Sequence, residues 1–297
     1  MRPEEIVARV WPGRPARIEP LGGGITNQNF LVDVDGGRAV VRIAGKDTSL
    51  LGIDRRSEAA AARMAFDAGV GPEVLAFVEP EECLVTRFIE GSPVPPAQMR
   101  TPEQIRRAAD SLRRVHQGAP IPGRFDAHRV VEAYRDTATA HGVALPDDFA
   151  WAKGVADGIE AARGPQPTVP CHNDLLNANF IDDGTTLRIV DWEYSGMGDR
   201  FFDLANFSIN HELAPQDDDR LLEAYFGETR EGDVAALRAM RFMSDFREAM
   251  WGVVQQGISE LDVDFVAYAG QHFDRLRRTA GEPAFEGALA TLRSGTS

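Results

Sequence analysis

The sequence has 297 residues, of which 43% are hydrophobic and 26% charged, and this composition predicts a soluble globular protein with a sizeable core. The net charge of −14 argues against nucleic acid or anionic membrane as partners, because both repel an acidic surface. Two cysteines without metal-ligand spacing fit a reducing compartment. No apolar run reaches a membrane span and the N-terminus lacks a signal-peptide core, so we expect a cytoplasmic protein without stable membrane insertion.

The first third of the chain is predicted to consist mainly of strands and turns. The segment NFLVDVDGGRAVVRIAG indicates a β-hairpin, because two runs rich in β-branched residues flank the turn signal at 35–37. The alanine-rich segment DRRSEAAAARMAFDAGV predicts a helix that ends near Gly69. A second hairpin is predicted over PEVLAFVEPEECLVTRFIEG. We expect these strands to form one small antiparallel sheet.

The remaining two thirds are predicted to be mostly helical. One helix has Thr101 as its N-cap, Pro102 at its first position and Gly118 at its end. Short strands are predicted around a turn at 183–184. Further helices are predicted over 128–141, over 147–163, and from about Phe201 to Leu276 with one break near 227–232. The change in composition near 88–91 predicts a hinge between two lobes, 1–89 and 90–297.

The stretch VPCHNDLLNANFID concentrates polar residues between apolar ones. Asp174 and Asn179 are five residues apart, and Asp191 follows after a strand–turn–strand segment. Asp174 could accept the proton of an attacking hydroxyl, while Asn179 and Asp191 could supply the hard oxygen ligands that magnesium prefers. The spacing H-x-D-x4-N, followed by a further Asp, is the pattern of a protein-kinase catalytic loop. The alternative is a polar hairpin loop with capping residues, and His172 is expected to brace the loop backbone.

The segment LGGGITNQNF is a candidate phosphate cradle. Gly22, Gly23 and Gly24 would let the backbone approach a phosphate closely, and Thr26 and Asn27 would add donors. The segment is not a Walker A loop, because it lacks Gly-Lys-Ser/Thr. A glycine-rich hairpin turn is the alternative.

A cation on the next strand is expected to hold the phosphates. In AVVRIAG this cation is Arg42, and the following helix carries Glu58 as its partner. The alternatives are a surface arginine and glutamate without this pairing, or Lys46 as the cation.

Over residues 20–275, four segments resemble the choline/ethanolamine kinase family of aminoglycoside-phosphotransferase-like kinases: GGGITNQNF, VVRIAG, CHNDLLNANFI and IVDWEYSGMGDRFFDLANF. The resemblance implies an α+β, two-lobed protein-kinase-like fold, with a small antiparallel sheet in the N-lobe and a mostly helical C-lobe. It also implies ATP, Mg²⁺ and transfer of the γ-phosphoryl group to a small cationic alcohol, choline first and ethanolamine second. A homodimer is compatible with it.

The resemblance carries roles over to individual positions. Asp174 is the expected base, Asn179 and Asp191 the expected magnesium ligands, and Arg42 with Glu58 the expected phosphate-positioning pair. Backbone groups at Phe88 and Ile89 are expected to hold adenine, beside the phosphate donors Gly23, Gly24, Thr26 and Asn27. Asp203 would brace the catalytic loop.

The expected substrate pocket departs from the family pattern. Tyr194, Trp251 and Tyr268 fall where choline kinases have pocket aromatics, but Val254 stands where the animal pattern has a second tryptophan. The acidic residue expected seven positions after Asp203 is an asparagine here. The cation partner is therefore expected to be Glu212, two positions further on, or the catalytic aspartate itself.

These departures leave the substrate open. Aminoglycoside, thiamine or homoserine kinases share the fold and are alternatives. A nucleotide-binding pseudokinase scaffold is an alternative from another class, although a pseudokinase usually lacks a base or a metal ligand.

Overall fold

A computed structural model describes residues 2–22 and 27–295 of the chain. It confirms the predicted fold class, because a small antiparallel sheet near the N-terminus is followed by a mostly helical remainder. No helix in these two ranges is long and apolar enough to cross a lipid bilayer.

The strands and helices follow one another in two blocks. The strands are β1 (Ala16–Leu21), β2 (Asn27–Val34), β3 (Gly37–Ala44), β4 (Val74–Val78), β5 (Cys83–Arg87), β6 (Ser92–Pro93), β7 (Thr168–Cys171), β8 (Phe180–Asp182), β9 (Leu187–Ile189) and β10 (Gly196–Asp199). The helices are α1 (Pro3–Val10), α2 (Arg55–Asp67), α3 (Pro96–Met99), α4 (Pro102–His116), α5 (Ala127–Ala140), α6 (Phe149–Arg163), α7 (Arg200–Asn210), α8 (Pro215–Phe226), α9 (Glu231–Ile258), α10 (Phe265–Gly281) and α11 (Pro283–Gly295).

The N-terminal sheet has the strand order β1-β2-β3-β5-β4, and all its neighbours are antiparallel. The predicted hairpin is present: Val34 pairs with Gly37, and Asp35 and Gly36 both have positive φ. Positive φ at both central residues gives a turn whose twist matches that of the flanking strands. In the strand order of this sheet, β3, which carries Arg42, is the central strand.

Helix α1 was not predicted from the sequence. Ile6 and Val7 on this helix pack with Ala39, Val41 and other residues of β2, β3 and β5. Because side chains alternate along a strand, residues of β3 on the opposite face, including Arg42, point away from α1. Pro3 at the first helical position was the available sequence signal.

The predicted helix after the first hairpin is α2, and Asp54 caps it by accepting a hydrogen bond from the Ser57 amide at 2.6 Å. Thr101 likewise caps α4. The Thr101 cap was predicted from the sequence, whereas Asp54 was not named, although both caps bond a residue three positions on. Buried alanines of α2 join the core of the C-terminal part, so this helix connects the two regions.

The prediction of one break between Phe201 and Leu276 needs correction. The structure also has breaks at 211–214 and 259–264, and a further helix, α11, follows. Pro215 begins α8, while Gly227 ends it in the left-handed conformation. Asp264 caps the helix after the last break.

The connection between β5 and β6 links the sheet to the helical part. Strand β6 pairs with β8, so the chain is attached to the C-terminal part as soon as it leaves this connection. Gly91 lies directly against β8, since a Cβ atom there would come within 2.5 Å of the Asp182 carbonyl oxygen. The lobe boundary predicted between residues 89 and 90 falls within this connection and stays a prediction.

Candidate active site

Side chains of α7 hold the loop after β7 through hydrogen bonds. The Asp203 carboxylate accepts the amides of His172 and Asn173 at 2.8 and 2.7 Å, and the Asn206 side chain accepts the Leu175 amide at 2.5 Å. Hydrogen bonds from amides to a buried carboxylate are strong because the acceptor is charged. The segment DLAN on α7 thus determines the path of the loop that carries Asp174.

His172 is completely buried in this loop. Its Nδ1 accepts the Asp174 amide at 3.2 Å, so Nε2 carries the proton and donates to the Val190 carbonyl at 2.9 Å. Burial lowers the pKa of the imidazole, which favours the neutral form that this pattern requires. His172 therefore occupies the bracing position expected from the sequence, between the Asp174 loop and the segment before Asp191.

Asp174 is a largely buried carboxylate. Burial raises its pKa to about 7, and the Arg247 guanidinium, whose Nη2 lies 3.3 Å from Asp174 Oδ1, opposes the shift. Arg247 also donates to the Asn173 carbonyl at 2.6 Å. A carboxylate with a pKa near neutrality is well matched to general base chemistry.

Asn179 and Asp191 lie beside this loop, as the spacing predicted. Asn179 donates from Nδ2 to the Asp174 carbonyl at 2.8 Å, which fixes the carboxamide and leaves its oxygen as the atom for a cation. Asp191 has a positive φ and is partly exposed. One carboxylate and one amide oxygen form a donor set that fits Mg²⁺, which binds few protein ligands and retains waters and phosphates.

The predicted pair on β3 and α2 is formed. Arg42 Nη1 lies 2.8 Å from Glu58 Oε1 and 2.5 Å from Asp191 Oδ1. The guanidinium thus connects the sheet, α2 and the candidate metal ligand. Whether it contacts phosphate stays a prediction.

A second buried ion-pair group supports the first and was missed by sequence reasoning. Arg55 contacts Glu58 at 2.7 Å, Glu193 at 3.1 Å and Asn27 at 2.8 Å. Asn27 in turn donates to Glu193 at 2.8 Å. The carboxamide of Asn27 is therefore engaged with buried charges, and its predicted contact with phosphate stays a prediction. The i,i+3 spacing of Arg55 and Glu58 was the available sequence signal.

Two further groups of residues were predicted to bind nucleotide. Gly23, Gly24 and Thr26 lie outside the described residues. In the 88–91 connection, the Phe88 amide donates to the Arg38 carbonyl at 3.0 Å and the Arg38 guanidinium lies 4.4 Å from the Phe88 ring centre. A cleft of about 360 Å³ borders Phe88 and Ile89, but its lining includes none of the catalytic-loop residues.

The three predicted aromatic residues lie together. Trp251 Nε1 donates to the Tyr194 hydroxyl at 3.0 Å, and the ring centres of Trp251 and Tyr268 are 5.6 Å apart. Trp251 and Tyr194 are buried, and Tyr268 is partly exposed.

The prediction for Glu212 needs correction. Glu212 is exposed just after α7 and pairs with Arg100, outside the aromatic group. The acid beside the aromatic residues is Glu248, which accepts the Tyr268 hydroxyl and pairs with Arg247 at 2.8 Å. Glu248 precedes Trp251 by three residues, so helical periodicity on α9 could have placed them on one face.

Comparison with known proteins gives a consistent result. Residues 17–242 match the model of the Phosphotransferase enzyme family (APH). Protein LicA of Haemophilus influenzae is 27% identical over 271 residues, covering 85% of this chain and 76% of the relative. Ethanolamine kinase 2 of Mus musculus is 24% identical over 302 residues, covering 89% of this chain and 76% of the relative.

Solved structures agree. The crystal structure of a choline/ethanolamine kinase family protein from Mesorhizobium loti superposes with a TM-score of 0.84 and 33% identity, covering 99% of this chain and 100% of the other. The aminoglycoside phosphotransferase APH(4)-Ia shares the fold, with a TM-score of 0.67 at 18% identity over 94% of this chain and 99% of the other. Family match, overall similarity and the residues around Asp174 agree: this chain belongs to the APH phosphotransferase family and, within it, to the choline/ethanolamine kinase family.

Proposed function

We propose that this protein transfers the γ-phosphoryl group of ATP to the hydroxyl of a small amino alcohol, choline or ethanolamine, in the cytoplasm. The observation that carries the proposal is the position of Asp174. Its backbone carbonyl contacts Asn179, and its carboxylate contacts Arg247, which in turn pairs with Glu248. Asp174, the candidate base, thus lies between the candidate metal ligands and the region of Glu248 and the three aromatic residues.

The base role follows from burial and charge. The Asp174 carboxylate would accept the proton of the substrate hydroxyl as that oxygen attacks the γ-phosphorus. The raised pKa supports this role, because a base near neutrality can both hold and release a proton at working pH. Most of the remaining catalysis would be positioning and charge neutralisation, since phosphoryl transfer has a loose transition state.

Different residues would bind the phosphates, the adenine and the magnesium ion of Mg-ATP. Arg42, fixed by Glu58, would contact the phosphates, and the Ile89 backbone would bind adenine because the Phe88 amide already donates to Arg38. Magnesium bound by Asn179 and Asp191 would neutralise charge on the β- and γ-phosphates.

The substrate side is suited to a cation. Asp174 and Glu248 share one guanidinium, that of Arg247, so two acidic side chains face a single cation here. Tyr194, Trp251 and Tyr268 add aromatic surface, which attracts cations through the ring quadrupole.

ADP release with Mg-ATP tests the proposal against choline, ethanolamine, thiamine and several aminoglycosides. We expect turnover with an amino alcohol and little with the others. Asp174→Asn should lower kcat by at least about 100-fold while the Kd for ATP stays within a few-fold, because general base catalysis is lost and nucleotide contacts remain. Near-native turnover of Asp174→Asn, or turnover confined to thiamine or an aminoglycoside, would contradict the proposal.

A further inference from the structure

Glu248 lies where it can recognise the charged end of a substrate. Resting on the function proposed above, we propose that Glu248 binds the substrate ammonium through N–H hydrogen bonds. The pocket would then select an amino alcohol whose nitrogen carries hydrogen over one with a quaternary nitrogen.

The Arg247 guanidinium lies between two acidic side chains. It is 1% exposed, donates to the Asn173 carbonyl at 2.6 Å, and pairs with both Asp174 and Glu248. One buried cation therefore lies between two acidic side chains. If Asp174 is the carboxylate that takes the hydroxyl proton, Glu248 is the one left to attract a cation on the substrate.

The Glu248 carboxylate is partly open to solvent. The Glu248 and Asp174 side chains are 11% and 13% exposed, whereas Arg247 is 1% exposed, so the carboxylates lie nearer the solvent than the guanidinium. Glu248 Oε1 accepts the Tyr268 hydroxyl, and Oε2 accepts Arg247. Each carboxylate oxygen has capacity for a second hydrogen bond. Glu248 is therefore oriented by its neighbours and can still accept an ammonium N–H.

The aromatic rings near Glu248 are already in contact with other protein groups. The Arg247 guanidinium lies 5.3 Å from the Tyr194 ring centre and occupies one of its faces. Trp251 contacts Phe265 and Tyr268 in edge arrangements, with ring centres 5.9 and 5.6 Å apart. These contacts use surface that a trimethylammonium group would need for cation–π contact.

The position of Val254 has the same consequence. It stands where the animal family pattern has a second tryptophan, and it is completely buried. An aliphatic side chain in the core offers no ring face to the pocket. A quaternary nitrogen would thus meet few ring faces and could not donate to Glu248, whereas an ammonium with N–H groups could make charge-assisted hydrogen bonds.

A methylation series tests this inference on the full-length enzyme. The substrates are ethanolamine, N-methylethanolamine, N,N-dimethylethanolamine and choline, with saturating Mg-ATP. We expect kcat/KM to fall along the series, by about 10-fold or more in total, because the last methyl group removes the remaining charged donor. A value of kcat/KM that rises toward choline would overturn the inference.

The variant Glu248→Gln identifies the residue responsible. It removes the charge but keeps an acceptor for Tyr268. We expect the KM for ethanolamine to rise by about 10- to 100-fold while the KM for ATP stays unchanged, and the KM for choline to rise less. Glu223→Gln, an exposed change on α8, is the matched control and should leave every constant unchanged. An unchanged KM for ethanolamine in Glu248→Gln would overturn the inference.

Two further measurements separate the possible failures. Should Glu248→Gln not fold, Tyr268→Phe keeps the ring, removes the donor to Glu248, and should raise the KM for ethanolamine by several-fold; an unchanged KM would overturn the inference. If no amine of the series is phosphorylated, the proposed function fails and this inference fails with it. If the amines are turned over with choline preferred, the proposed function stands and this inference alone fails.

Discussion

Burial of Asp174 gives a reactive group but costs stability. Its pKa in the folded protein is raised to about 7, above the ordinary value of 3.8, mainly by burial. The folded state therefore keeps a proton that the unfolded state releases between these values, and stability falls as the pH rises through this window. Above about pH 7 the loss is complete.

Asp174→Asn should accordingly stabilise the protein without ligands. The asparagine resembles the protonated acid, so the gain in Tm should be near zero at pH 4, grow as the pH rises toward 7, and remain constant above it. Differential scanning fluorimetry in EDTA across this range measures the effect. Asp219→Asn, an exposed change on α8, is the control and should show no such trend. A constant difference in Tm at all pH values would contradict the explanation.

The sequence predicted which residues lie together where those residues are close to one another along the chain. Asp174, Asn179 and Asp191 come together because one loop and one short hairpin bring them to the same place. Glu212 and Glu248 show the opposite case. The acid that contacts Tyr268 and Arg247 is Glu248 on α9, more than 70 residues after Asp174. No local pattern reports which distant helix packs there.

At the scale of elements, α2 supplies two buried charged residues that contact Arg42 and Glu193. Arg55 and Glu58 lie one turn apart near its N-terminus, and both are buried. Through them the helix contacts β3, the start of β2 and the segment after Asp191. A shift of α2 would therefore change the surroundings of Arg42 and Asp191 together.

Arg55→Met should be strongly destabilising. It would leave the buried carboxylates of Glu58 and Glu193 without one cation, a loss of about 3–5 kcal/mol for a broken buried pair. Urea unfolding measures the change. Arg56→Met, on the same helix but exposed and paired only with exposed acids, is the matched control, with an effect within about 0.5 kcal/mol. Equal losses for both variants would contradict a special role for Arg55.

Elements with local signals were predicted well. Thr101 marks the start of α4 through a bond to the residue three positions on, as predicted, and the turn at 35–36 follows from glycine and aspartate chemistry. Helix α1 and the breaks at 211–214 and 259–264 were missed. Pro3, Pro215 and Asp264 stand at helix starts, but single residues of these types are also common in turns and loops.

At the scale of the whole molecule, the connection between β5 and β6 joins the N-terminal sheet to the helical part of the chain. Gly91 packs against the backbone of β8, which allows β6 to pair with it immediately. The predicted hinge near 88–91 followed from the change in composition. The close approach at Gly91 did not, since it depends on the partner strand.

Gly91→Ala should displace this connection. The new methyl group would lie 2.5 Å from the Asp182 oxygen and 2.8 Å from Ile181, too close for either to remain in place. We expect a lower Tm and a KM for ATP raised by several-fold, because Ile89 lies two residues away, with the KM for the amine unchanged. Steady-state kinetics with each substrate varied measures this.

Gly154→Ala on α6 is the control for that change. Its Cβ would meet open space, so the alanine should leave the kinetics unchanged and add about 0.5–1 kcal/mol to stability through helix propensity. An unchanged KM for ATP in Gly91→Ala would show that the connection does not position the nucleotide.

Helix α9 has a consequence for how such enzymes diverge. It spans 28 residues, and one short stretch of it supplies Arg247, Glu248 and Trp251. The groups assigned to nucleotide and metal come from other elements. Substitutions of Glu248 and Trp251 could therefore exchange one alcohol for another over evolutionary time. Arg247 is more constrained, because it also contacts the Asn173 carbonyl and the Asp174 carboxylate.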